Sequence, residues 1–115
     1  MKLEVGQFAR LKSGYIVKVL NVKDDWIETD TKFITRTFPK DFVKASYNII
    51  DVLEVGDYVN GNKVIEIEKN YKFIDGTIRD ILWTDTKMQK AIWDETIKSI
   101  VTHEQMEQIA YRVGE

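Results

Sequence analysis

Hydrophobic and polar positions alternate through most of this chain. In "QFARLK" (7–12) and "YIVKVLNV" (15–22), Tyr15, Val17 and Val19 fall on one face and Ile16, Lys18 and Leu20 on the other, a period of two. Ser13-Gly14 separates the runs, which predicts a β-hairpin. "DYV" (57–59) and "KVIEIE" (63–68) repeat the arrangement around Asn60-Gly61-Asn62, and Asn-Gly suits the tightest hairpin turns because both residues accept positive φ. There Ile65 and Ile67 are expected to face inward, with Glu66 and Glu68 outward. Further short strands are expected at 25–29, 32–36 and 42–45, and again near 72–75, 78–84, 90–93 and 97–101. Short strands at such close spacing predict a barrel or a sandwich. Helical pattern is scarce. "TFPKDF" (37–42) predicts one turn with Pro39 near its first position. "THEQMEQ" (102–108) places Thr102 three residues before Gln105, a capping box that predicts a short helix over 103–108, after which "IAYRV" returns to strand character.

The pattern is written twice. "LEVGQF" (3–8) recurs as "LEVGDY" (53–58), "WIETDTK" (26–32) matches "ILWTDTK" (81–87) at an offset of 55, and "FVKAS" (42–46) matches "TIKSI" (96–100) at 54. Three matches in conserved order imply a tandem duplication. Five extra residues are expected in the second copy between its second and third strands, around "KNYKFIDGTIRD" (69–80). The chain therefore reads as all-β with a short C-terminal helix, in two units spanning 1–48 and 49–115. The apolar join "NIIDVL" predicts that the units pack together instead of hanging on a tether.

Charge and composition narrow the function classes. The 115 residues carry a formal net charge of −2, which argues against an indiscriminate nucleic-acid coat. Residues 1–50 hold nine Lys/Arg against six Asp/Glu, and 51–115 hold eight against thirteen. The first half can attract an anion, or the second half of another copy. Cysteine is absent and "MKLEVG" lacks the apolar core of a secretory signal, so a cytoplasmic setting is expected, with no membrane association.

The candidate contact residues are three tryptophans and a set of cations. Trp26 and Trp83 lie two residues apart on equivalent strands and so share a face. With Trp93 they are either core or an aromatic platform. Arg10, Lys12, Lys32, Arg36 and Lys40 carry most of the positive charge of the first half and either grip an anion or are solvated strand positions. Asp30 and Asp85, in the repeated "TDTK", suit equivalent turns. His103 is the only histidine, so a zinc site of nitrogen and sulfur ligands cannot be assembled in one chain. No nucleophile elbow surrounds Ser13, Ser46 or Ser99, no phosphate cradle is present, and the adjacent carboxylates Asp24-Asp25 and Asp94-Glu95 would diverge on a strand, so the reading assigns no catalytic residue, no metal and no cofactor.

"VKASYNIIDVLEVGDYVNGNKVIEI" (43–67) and "IKSIVTHEQMEQIAYRV" (97–113) resemble small accessory proteins encoded by phages and prophages of Gram-positive bacteria. "VGQFARLKSGYIVKV" (5–19) is similar to the opening hairpin of SH3-like barrels of the Tudor and KOW type. The first resemblance implies a stoichiometric binder acting in the host cytoplasm, an anti-defence or takeover factor that occupies a host protein or sequesters a small nucleotide-like anion. The second implies two tandem SH3-like barrels. A nucleic-acid-binding barrel in phage gene expression, and an assembly protein forming homo-oligomers through its oppositely charged halves, are the alternatives.

Overall fold

A computed structural model describes residues 2–31, 37–86 and 90–109. The chain divides into two compact units, Met1–Val52 and Leu53–Glu115. The 3-10 turn Ile49–Val52 thus ends the first unit, whereas the sequence reading began the second unit at 49. Each unit is a four-stranded antiparallel sheet. In the first, β1 (Phe8–Leu11), β2 (Ile16–Val22), β3 (Ile27–Thr29) and β4 (Phe42–Ser46) lie in the order β3-β2-β1-β4. In the second, β5 (Tyr58–Val59), β6 (Asn62–Lys72), β7 (Ile78–Thr84) and β8 (Ile100–Val101) lie in the order β7-β6-β5-β8, followed by the helix α1 (His103–Ile109). Among the described residues, neither sheet closes into a barrel.

The two units agree hydrogen bond by hydrogen bond. The Glu4 N–H donates to Gln7 Oε1 at 2.9 Å, and the Glu54 N–H donates to Asp57 Oδ2 at 2.7 Å. Gly6 and Gly56 donate to the carbonyls of Val19 and Val64. Asp30 and Asp85 each accept a backbone N–H through Oδ1, from Lys18 at 2.8 Å and from Lys63 at 3.2 Å, and each donates its own N–H back to that lysine's carbonyl. A single β-bridge joins Ile27 to Thr37 and, fifty-five positions on, Leu82 to Ile92. The 3-10 turns Pro39–Asp41 and Asp94–Thr96 also stand fifty-five apart, with the Phe38 N–H on Asp41 Oδ2 and the Trp93 N–H on Thr96 Oγ1. Turn chemistry that recurs at matched positions is what a duplicated chain requires, because these side chains fix where the backbone reverses.

These bonds also correct the alignment read from sequence. Phe8 pairs with Ser46 and Tyr58 with Val101, so "FVKAS" matches 97–101 at an offset of 55, not 96–100 at 54. Lys18 matches Lys63 at 45, whereas Ile27 matches Leu82 at 55, so the second copy carries ten extra residues in that hairpin, not five.

Local sequence explains the elements. Asn60 (φ 52°) and Gly61 (φ 82°) form the two-residue turn between paired Val59 and Asn62, the left-handed pair that matches strand twist. Thr102 and Gln105 cap α1 reciprocally: the Thr102 N–H donates to Gln105 Oε1 at 3.0 Å and the Gln105 N–H to Thr102 Oγ1 at 3.3 Å. Leu3, Ala9, Leu11, Val17, Val19, Ile27 and Phe42 form the core of the first unit, and Leu53, Val59, Val64, Ile81 and Leu82 are buried in the second. Between Val19–Thr29 and Asn21–Glu28 the register slips by one residue, and it slips again between Val64–Thr84 and Glu66–Trp83. Each slip is a bulge, at Leu20 and at Ile65, and a bulge resets the alternation. Val64 is therefore buried and Ile65 exposed, the reverse of the inward position expected for Ile65.

Three other strand expectations change. Residues 73–77 form a turn beyond β6, 90–93 contribute only the Ile92 bridge, and 97–99 precede the two-residue β8. The strand expected at 32–36, and 110–113 of "IAYRV", lie outside the described residues.

Candidate functional site

The second unit carries an aromatic run and a cleft. β6 is eleven residues long and contains a second register slip, between Glu68 and Tyr71, where Asn70 takes a left-handed φ of 56°. The Asn70 N–H donates to Asp80 Oδ1 at 2.9 Å and Lys69 pairs with Asp80 Oδ2 at 2.7 Å, which holds the bulge from the facing strand. Bulges bend and overtwist the strand that bears them. β6 curls accordingly, and Phe73, just past its end, lines the same cleft as Asn62 at its beginning.

Tyr71 and Phe73 alternate onto one face, where their rings meet edge to face at 5.2 Å between centroids. Tyr71 meets Trp83 at 6.0 Å, and Phe73 meets Trp93 at 5.7 Å, both edge to face. The run Trp83–Tyr71–Phe73–Trp93 is a preferred geometry for ring quadrupoles. Its two ends are anchored. The Trp83 indole N–H donates to Glu68 Oε1 at 3.2 Å, and the Arg79 guanidinium lies 5.3 Å from the Trp93 ring centre while approaching Glu95 at 3.8 Å.

Beside this run lies a cleft of about 660 Å3, walled by Phe73, Ala91, Ile92 and Trp93. Its polar lining is largely bonded within the chain. Asn60 donates to the Thr96 carbonyl at 3.0 Å and accepts the N–H groups of Lys98 and Ser99 through Oδ1. The Thr96 hydroxyl donates to the Trp93 carbonyl at 2.8 Å, and the Thr84 and Thr86 hydroxyls share a 3.4 Å contact. Asn62 donates to the Asn60 carbonyl at 3.3 Å, and among the described residues no donor meets its side-chain carbonyl. Lys90, also in the lining, is exposed. Among the described residues, the hollow thus suits an apolar group, with the Asn62 carbonyl and the Lys90 ammonium to orient it.

The sequence candidates separate into distinct places. Trp83 and Trp93 join the aromatic run, both half-buried. Trp26, also half-buried, precedes β3, and its carbonyl accepts the Lys23 N–H. Arg10 is fully buried, and its guanidinium donates to the Val52 carbonyl at 3.1 Å. Arg10 thus serves the interior as a donor to the 3-10 turn and presents no surface cation to an anion, which corrects the candidate role given to it. Lys12 and Lys40 are exposed neighbours, since the Lys12 N–H bonds the Asp41 carbonyl at the turn bearing Lys40. Lys32 and Arg36 lie outside the described residues. Sequence reasoning missed Tyr71, Phe73, Asn62 and Lys90; the spacing of two in "NYKF" was the available signal for the rings.

Among the described residues, one cluster gathers ligand-type atoms around the histidine. His103 Nε2 lies 2.8 Å from Glu54 Oε1 and 3.2 Å from Glu104 Oε1. In the first unit the Tyr47 hydroxyl, one repeat position before the equivalent of His103, donates to Glu4 Oε2 at 2.7 Å. Glu4 and Glu54 occupy the same position of the repeat, so both contacts tie the opening loop of a unit to the segment after its fourth strand. That shared place accounts for the cluster as a structural tie. No protein-family model, curated protein or solved structure matches this chain.

Proposed function

We propose that this is a non-enzymatic binding protein that works by occupying a partner protein, with the cleft of the second unit as its contact centre. The observation that carries this reading is the cleft lining: rings and aliphatic side chains form its walls, while most of its amides and hydroxyls are already bonded to the chain. Recognition of a nucleobase or a phosphate needs several converging free donors and acceptors. An apolar anchor side chain from a protein needs a dry hollow and little else. Occupation of a host protein is therefore favoured over sequestration of a nucleotide-like ligand, and over nucleic-acid binding. The resemblance of 43–67 and 97–113 to phage accessory proteins supplies the context, an anti-defence or takeover factor in the bacterial cytoplasm. In each unit the fourth strand returns to pair with the first, and a bridge links the third strand to the chain before the 3-10 turn. This pairing supports reading the units as open, tandem SH3-like barrels.

Selection of a displayed random-peptide library against the intact protein tests the proposal. Enriched peptides are expected to share an apolar or aromatic anchor and to lose at least about tenfold in affinity, roughly 1.4 kcal/mol, for Trp93→Ala. Peptides that bind Trp93→Ala as well as the parent, or binding of a nucleotide panel with no peptide enriched, would overturn it.

A further inference from the structure

We propose that a second copy of this chain occupies the cleft, through the tip of its own β6–β7 hairpin. The inference rests on the cleft being a protein-binding site and names its occupant when the protein is alone. The tip is the loop Ile74-Asp75-Gly76, closed by the Phe73 N–H on the Thr77 carbonyl at 2.8 Å and the Gly76 N–H on the Phe73 carbonyl at 2.9 Å. Ile74 stands wholly in solvent at 109% relative exposure, and Ile78, the first residue of β7, is 62% exposed. A β-branched side chain held out at the head of a tight turn gives this unit no burial, so the apolar area is available to another surface.

Asp75 adjoins that side chain. Its Oδ1 takes the Thr77 N–H at 3.0 Å and the Thr77 hydroxyl at 2.7 Å, which fixes the tip in one shape before any contact is made. The cleft presents the complement, an apolar hollow between Phe73, Ile92 and Trp93 with the exposed ammonium of Lys90 in its lining. An isoleucine followed by a carboxylate matches an apolar hollow with the Lys90 ammonium in its lining. Position favours the exchange as well, because Phe73 is in the cleft wall and Ile74 is the next residue. Tip and cleft belong to one patch, so a two-fold axis beside Phe73 lets each copy fill the other's cleft. The assembly then closes as a dimer and does not propagate.

Sedimentation velocity of the full chain over a concentration series tests this, with three variants checked for folding by far-UV circular dichroism. The parent is expected to show a monomer–dimer equilibrium, and Ile74→Asp to weaken it by about tenfold or more. Asp75→Lys and Lys90→Glu are each expected to be monomeric, because like charges meet at both contacts. Mixed in equal amounts they are expected to pair, since each tip then meets a cleft of opposite charge, but more weakly than the parent, because Asp75→Lys gives up the acceptor for Thr77. A parent that stays monomeric at high concentration, an Ile74→Asp dimer as tight as the parent's, or charge-swapped variants that fail to pair would overturn the inference. Ile74→Asp retains the cleft and should still bind library-selected peptides. Loss of the dimer with peptide binding intact thus separates this inference from the reading it rests on, while correct charge-swap pairing without any selectable peptide would overturn the partner reading alone.

Discussion

The hairpin after the first turn is where the two units part company. In the first unit its strands are seven and three residues long, and in the second eleven and seven. The paired positions Val22–Ile27 and Ile67–Leu82 are equivalent, yet four residues bridge the first pair and fourteen the second. Everything below those pairs is shared: the bulge, the aspartate that holds the strand, the bridge and the 3-10 turn. The added segment is thus unnecessary for the frame. It supplies Tyr71, Phe73, Arg79, the second bulge and the exposed tip, while Trp93 stands where the first unit has Phe38. One frame was kept in both copies, and the aromatic surface was built on the copy with the longer hairpin.

The most severe way to break this comparison is to give the second unit the first unit's hairpin. Replacing Glu68–Ile81 by the Lys-Asp-Asp-Trp of residues 23–26 keeps the Ile67–Leu82 pair, puts the tryptophan of the first unit in the place of the buried Ile81, and removes Tyr71, Phe73 and the tip. The chimera is expected to retain its β-type circular dichroism and cooperative unfolding. It is also expected to lose all measurable binding of library-selected peptides, and its self-association. A chimera that unfolds would mean that the long hairpin belongs to the frame, and the division between frame and surface would fail.

The frame was legible in the sequence because it depends on short-range chemistry. "LEVG", the Asn60-Gly61 turn, Pro39, the Thr102–Gln105 cap and the paired "TDTK" each specify a local backbone path, and each lies at the matched place in the structure. The bulges were not legible, since Leu20 and Ile65 are ordinary strand residues. Only the cross-strand partner reveals that one of them is extra, and a single extra residue inverts the facing of every later side chain. The aromatic run was hidden for the same reason, as Phe73 reaches Trp93 only after the Asn70 bulge has turned the strand. Arg10 was misread because alternation in a hairpin marks a face without saying whether a neighbouring segment covers it, and here Arg10 bonds the 3-10 turn forty-two residues away.

A finer test asks whether the equivalence of the frames is energetic as well as geometric. Gly6 and Gly56 occupy the same turn with φ of 92° and 100°. A Cβ on Gly6 would sit 3.6 Å from the Tyr47 ring, and one on Gly56 3.8 Å from the His103 Cβ, ordinary contacts in both cases. The cost of Gly→Ala is then the left-handed backbone alone, about 1–2 kcal/mol at either site. Urea denaturation of Gly6→Ala and Gly56→Ala is expected to give losses equal within about 0.5 kcal/mol. A large inequality would show that the two turns carry different loads despite matching bonds.

The smallest effects fall at opposite ends of the pH scale, one in each unit. In the first, the hydrogen bond to Glu4 raises the Tyr47 phenol above its ordinary value of 10.0, with loss of solvation and the carboxylate's charge acting the same way. A raised acid favours the folded state below its unfolded pKa, and that contribution fades as pH climbs through the folded value. In the second, the Thr77 backbone N–H, followed by the Thr77 hydroxyl, lowers Asp75 below 3.8. A lowered acid contributes above its unfolded pKa, and the contribution is lost as pH falls through the folded value. Both groups are exposed, so solvent and salt reduce either term. NMR titration is expected to find Tyr47 moving down toward its ordinary value in Glu4→Gln. Asp75 should move up only part of the way in Thr77→Val, because the backbone donor survives that change. An Asp75 that titrates normally in the parent would mean that the Asp75–Thr77 turn does not persist in solution. The hairpin tip would then reach a partner copy unformed, and the ordering it must undergo would weaken the contact that distinguishes the second unit from the first.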